Sequence, residues 1–115
     1  MNPVKTDYAS QNLATGSLTH TFTVDVESLL LYQIYLHFSG NVSQAVLIVV
    51  KSIVDTTNRV YELASSTLSS ADDYVYEPSQ PKLLRKGDII VITCANSGTP
   101  AITAYSEIRM TEKEY

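Results

Sequence analysis

In 115 residues the chain has one cysteine, no tryptophan, four glycines and four prolines. A single thiol, Cys94, excludes an internal disulfide framework and any multi-cysteine metal site. So few glycines leave little material for a phosphate-cradling loop, and the sequence holds no GxSxG or HExxH motif. Charge is also scarce, at 17% of residues, with eight basic against twelve acidic side chains and a net charge of −4. The densest basic cluster is Lys82, Arg85 and Lys86. Phosphate binding needs more than that, so nucleic acid is not expected as a partner. The longest apolar runs, residues 29–36 and 45–50, are far short of the roughly 20 residues of a membrane helix. Met1-Asn2-Pro3-Val4-Lys5 lacks the basic start and apolar stretch of a secretory leader. The expectation is a soluble protein, made in a cytoplasm, with no membrane partner.

Hydrophobic residues make up 44% of the chain, the balance of a globular domain rather than a disordered one. The clearest pattern has a period of two. Leu18, His20, Phe22, Val24 and Val26 alternate with Thr19, Thr21, Thr23, Asp25 and Glu27, as in a half-buried antiparallel strand. Residues 29–38 are apolar on both parities, with Leu30, Tyr32, Ile34, Leu36 and Phe38 on one side and Leu29, Leu31 and Tyr35 on the other. Aromatic content and the turn-like Ser39-Gly40-Asn41 favour a strand.

Further strands are predicted over residues 44–54, 59–64, 74–76, 89–95 and 101–110. Turns are predicted at Asp55-Thr56-Thr57-Asn58, at Lys86-Gly87-Asp88 and at Asn96-Ser97-Gly98-Thr99-Pro100. Residues 65–73 read as a polar connection, and Pro78 and Pro81 bracket an extended crossing. No helix is convincing. Together these signals predict an all-β fold: a two-sheet antiparallel β-sandwich, jelly-roll-like, of about eight strands. Residues 1–16 form an N-terminal arm with at most a short strand over residues 4–8. Residues 17–110 form the sandwich, and residues 111–115 a charged tail. Strands 29–38, 44–54 and 89–95, apolar on both faces, imply a surface covered by the arm or by another subunit.

Candidate chemistry is thin. His20 and His37 fall on different strands with no metal-binding partners near them in sequence. His20 shares parity with core residues and reads as a hydrogen-bonded histidine at the core's edge. Asp25 with Glu27 and Asp72 with Asp73 are paired carboxylates, read as a solvated strand end and a loop. Cys94, within an apolar run, reads as a small buried hydrophobe. Asn41-Val42-Ser43 matches a glycosylation sequon of low specificity. Tyrosine is the richest binding feature, at eight residues. Tyr74 and Tyr76 share a strand face on which a sugar ring could stack. No catalytic, cofactor-binding or metal-ligating residue is assigned, no cofactor is expected, and the chain is read as a non-enzyme.

Three segments resemble a group of small phage-associated β-sandwich proteins. They are the Thr-rich strand Leu18-Thr19-His20-Thr21-Phe22-Thr23-Val24, the descent Pro81-Lys82-Leu83-Leu84-Arg85-Lys86-Gly87-Asp88-Ile89-Ile90-Val91, and the closing strand over residues 101–110. The resemblance implies a jelly-roll decoration or cement protein on the exterior of a phage capsid. Its partner would be the major capsid protein, which it would bridge as a homo-oligomer, a trimer before a dimer. The group has no short signature of binding residues to transfer. The alternative is a carbohydrate-binding or receptor-binding module of a phage tail apparatus.

Overall fold

A computed structural model describes residues 4–52, 60–95 and 102–112. They form nine strands: β1 (Val4–Asn12), β2 (Leu18–Thr23), β3 (Ser28–Val42), β4 (Ala45–Lys51), β5 (Val60–Thr67), β6 (Ala71–Tyr76), β7 (Lys82–Arg85), β8 (Ile89–Cys94) and β9 (Thr103–Glu112). The pairing is nested. β4 pairs with β5, β3 with β6 and β7, β2 with β8, and β1 with β9, always antiparallel. The chain is therefore one long hairpin whose two arms run back along each other. Additional pairings, β9 with β3 and β8 with β4, roll that hairpin into two sheets. One has the order β1-β9-β3-β6 with β7 also on β3, and the other the order β2-β8-β4-β5.

This is the jelly-roll topology. β6 and β7 occupy successive lengths of β3, at Ile34 to Val42 and Ser28 to Leu31, so the nine strands fill eight positions. The core lies between the sheets. Ile34, Leu36, Ile48, Ile90, Ile92 and Ile108 are fully enclosed. Each such side chain contributes roughly 1.5–3 kcal/mol relative to exposure.

Three expectations change. The segment expected as an N-terminal arm holds a nine-residue edge strand, paired with β9 from Val4↔Thr111 to Asn12↔Thr103. Its polar sequence hid it. Backbone ladders do not need apolar side chains, and Asp7, Ala9 and Gln11 face in only at the sandwich margin, part-buried. Thr111 and Glu112, expected as the start of a charged tail, instead extend β9, and Thr111 is buried; residues 113–115 lie outside the described residues. The polar connection at residues 65–73 is largely strand: β5 runs to Thr67 and β6 starts at Ala71, with the left-handed Ser70 turning the chain between them.

The two-sided apolarity of β3 also resolves. The register on β9 slips between Leu31 and Gln33, so Tyr32 is an extra residue, a β-bulge. The bulge switches parity and brings Leu29 and Leu31 onto the same inner face as Ile34, Leu36 and Phe38. The turns expected at residues 55–58 and 96–100 lie outside the described residues. The turn at Lys86-Gly87-Asp88 is present. Gly87 takes φ 97°, and Asp88 Oδ2 accepts the Arg85 amide at 3.0 Å. Gly-Asp here is turn chemistry that joins β7 to β8. Among the described residues no helix is long and apolar enough to cross a membrane.

Candidate functional site

The outer face of the five-stranded sheet carries a patch of rings and carboxylates built by register alone. One row across the sheet is Tyr8, Glu107, Tyr35 and Val75, and the next is Ser10, Tyr105, His37 and Asp73. Alternation places these side chains outward while Ala104, Ser106 and Ile108 point into the core. Tyr8 is 68% exposed and Tyr105 49%. The planes of Tyr35 and His37 lie 7° apart with centroids 6.4 Å apart, and those of His37 and Tyr105 lie 24° apart at 6.3 Å. Three rings thus form a shelf of near-parallel planes.

Asp73 fixes one end of that shelf. Its Oδ1 accepts the Tyr35 hydroxyl at 2.6 Å and lies 2.8 Å from His37 Nδ1. The Tyr35 hydrogen bond, and then that of His37, hold the Asp73 carboxyl below its ordinary value. The same hydrogen bond holds the Tyr35 hydroxyl above its own. On the other side Arg109 Nε donates to Glu107 Oε1 at 2.9 Å. Between these two fixed points lies a shallow depression of about 360 Å³, lined by Tyr8, Ser10, Tyr35, His37, Tyr105 and Glu107. The Glu107 side chain is only 20% exposed, so its carboxylate lies low among taller rings.

A second polar group lies inside the sandwich. His20, 3% exposed, bridges the sheets, with Nε2 2.7 Å from Asp7 Oδ2 and Nδ1 2.8 Å from Ser106 Oγ. In the neutral ring, Nε2 donates to the carboxylate and Nδ1 accepts the serine hydroxyl. A carboxylate–imidazole–hydroxyl chain is also the arrangement that activates a nucleophile. Ser106, however, is 1% exposed and faces the core, so a substrate cannot reach it. The chain is a hydrogen-bonded tie between β1, β2 and β9.

The other residues singled out in the sequence are dispersed. Asp25 and Glu27 are exposed in the β2–β3 connection. Tyr74 and Tyr76 pair with Leu36 and Ile34 and pack against the core, so they do not form the sugar-stacking face suggested for them. Cys94 is enclosed, and burial pushes its thiol up to about 11. Among the described residues, no three His, Cys, Asp or Glu side chains gather as a metal cage. The aromatic patch was not visible in the sequence because its rings, Tyr8, Tyr35, His37 and Tyr105, come from three strands. The local signal was the spacing Tyr35-Leu36-His37, aromatics at i and i+2 around a buried leucine.

No protein-family model matches the chain, and no curated protein does. Solved structures do. A chain in the structure of infectious bursal disease virus, Gx strain, is similar over 98% of this chain and 33% of that one, with 15% identity and a TM-score of 0.54. The structure of the cysteine protease and lectin-like domains of Cwp84, a surface layer associated protein of Clostridium difficile, matches over 93% of this chain and 36% of that one, with 11% identity and a TM-score of 0.52. Cwp84 after propeptide cleavage gives 0.54 over 96% of this chain and 40% of that one, at 11% identity. The chain thus spans 33% to 40% of the length of these matches. At such identities the likeness is one of fold, a β-sandwich found both in a virus particle and in a bacterial surface protein.

Proposed function

We propose that this chain is a non-enzymatic structural protein of a phage virion, a cement protein that sits on the capsid exterior and bridges major capsid proteins. The observation that carries this reading is the outer face of the four-stranded sheet. Register places on it three rows: Thr19, Thr93, Leu47 and Ser65; Thr21, Val91, Val49 and Glu62; Thr23, Ile89, Lys51 and Val60. Within these rows Lys51 and Glu62 are the only two charged positions. An apolar centre, a threonine border and depleted charge are the composition of an interface core.

At about 4.8 Å between strands and 3.4 Å per residue, three rows of four cover on the order of 400 Å². That is half of the roughly 800 Å² each partner contributes to a stable interface. Docking therefore recruits flanking loops or a second copy, in keeping with a homo-oligomer, a trimer before a dimer. The acidic net charge suits a place outside the shell, away from packaged nucleic acid. Synthesis in the host cytoplasm and the absence of membrane and nucleic-acid partners belong to the same reading.

Mixing purified protein with undecorated shells tests it. Stoichiometric binding and greater heat resistance of the shells are expected, with both lost on Val91→Glu. An absence of binding by the native protein would falsify the cement role. Size-exclusion chromatography with light scattering tests the oligomer, and a strict monomer overturns the trimer. The carbohydrate-binding or receptor-binding alternative draws on a different observation, the aromatic shelf. The two readings use opposite faces of the sandwich.

A further inference from the structure

We propose that the depression among Tyr8, Tyr35, His37 and Tyr105 binds the terminal unit of a neutral glycan, with Glu107 accepting its hydroxyl hydrogen bonds. This rests on the carbohydrate-binding reading and not on the capsid one.

A pyranose ring has a face of C–H groups and an edge of hydroxyls, and this site offers a match for each. The near-parallel rings of Tyr35, His37 and Tyr105 supply apolar ring surface for the first, at interplanar angles of 7° and 24°. Glu107 lies between Tyr8 and Tyr35 in the row across the sheet. Its carboxylate has about four acceptor positions. Arg109 occupies one of them and fixes the group in place. At the far side Asp73 clamps the edges of Tyr35 and His37, so those rings are oriented before any ligand arrives. The depression of about 360 Å³ is at the small end of ligand sites, which suits one end of a glycan.

Other ligand classes fit less well. Glu107 and Asp73 are two carboxylates beside a single fixed cation, Arg109, which disfavours sialylated or sulfated sugars. A quaternary ammonium is held by rings turned toward a common centre, whereas Tyr35, His37 and Tyr105 share nearly one orientation. A peptide strand needs an unpaired sheet edge, and this site lies across the faces of paired strands.

The test is titration of the isolated full chain, followed by calorimetry and amide NMR, with maltohexaose, cellohexaose and a galactose-terminated oligosaccharide. Sialyllactose and choline serve as the charged comparisons. At least one neutral glycan is expected to bind, with shifts centred on residues 8, 35, 105 and 107. Tyr105→Ala and Tyr8→Ala, both at exposed positions, should each weaken binding about tenfold. Glu107→Gln should weaken it as well, with an unchanged amide fingerprint showing that the variants are folded. The proposal is overturned if no neutral glycan binds at millimolar concentration, if only sialyllactose or choline binds, or if both tyrosine variants bind as the native chain does. Shell binding by the same variants separates the two readings. Retained shell binding with lost glycan binding supports the site. Loss of shell binding in the tyrosine variants makes the shelf a protein-docking face and overturns the glycan assignment.

Discussion

His20 of β2 and Ser106 of β9 lie on different sheets, 86 residues apart in sequence, and meet in a 2.8 Å hydrogen bond inside the sandwich. Asp7 of β1 completes the tie from the other ring nitrogen. A buried imidazole is costly unless both nitrogens are satisfied, and here both are. The tie joins the edge strand β1, which has few apolar residues of its own, to the rest of the fold.

His20→Ala leaves the Ser106 hydroxyl stranded and opens a cavity, so it should cost about 3 kcal/mol. Ser106→Ala keeps the His20–Asp7 contact and should cost about 1 kcal/mol. Urea unfolding of both variants and of the double variant measures the coupling. Because the serine has already lost its partner, the double variant should fall short of the sum. Strict additivity would show that the two residues act independently.

Asp73 and Tyr35 provide a test by pH. The Asp73 carboxyl is held below 3.8, first by the Tyr35 hydroxyl and then by His37. A depressed carboxyl contributes stability above its unfolded value and loses it as pH falls through the folded one. Tyr35 has the opposite sense. Its value is raised above 10.0, so its contribution is complete below that pH and fades as pH rises through the folded value. Tyr35→Phe should move the Asp73 midpoint upward, toward 3.8, in a carboxyl NMR titration. An unmoved midpoint would remove the tyrosine hydroxyl as the cause.

Gly87 is the residue at which the β7–β8 turn requires glycine. Its φ of 97° is one that L side chains rarely adopt. Gly87→Ala should cost about 1–2 kcal/mol. Ser70, at φ 46°, is the converse case, and Ser70→Gly should be neutral or slightly stabilising. Thermal unfolding of the pair checks both signs. Equal loss in the two variants would mean that backbone conformation is not what the glycine provides.

The fold was legible where alternation and turn chemistry agreed, as along β2 and β8. It was hidden where pairing is carried by the backbone alone. β1 has no apolar period, because an edge strand at the sandwich margin can be held by β9's ladder and a few polar contacts. The aromatic shelf was hidden for a different reason. Tyr8, Tyr35 and Tyr105 are far apart in sequence, and only register makes them neighbours. Conversely Tyr74 and Tyr76, which looked like a stacking pair, face inward because their strand pairs with Leu36 and Ile34 on the inner parity.

The Tyr32 bulge gives the sharpest test of how β3 uses its sequence. The ladder pairs Leu31 with Met110 and Gln33 with Arg109, so Tyr32 has no partner of its own on β9. Deleting Tyr32 leaves Leu29, Leu31, Ile34, Leu36 and Phe38 in strict alternation, all still facing the core. Deleting Tyr35 instead removes a residue from a regular stretch and turns either Ile34 or Leu36 outward, with everything beyond it. The Tyr32 deletion should keep a cooperative unfolding transition and dispersed amide NMR signals, while the Tyr35 deletion loses both. If the two deletions behave alike, the parity switch belongs elsewhere on the strand. The double apolar parity of residues 29–38 would then again call for a covering subunit.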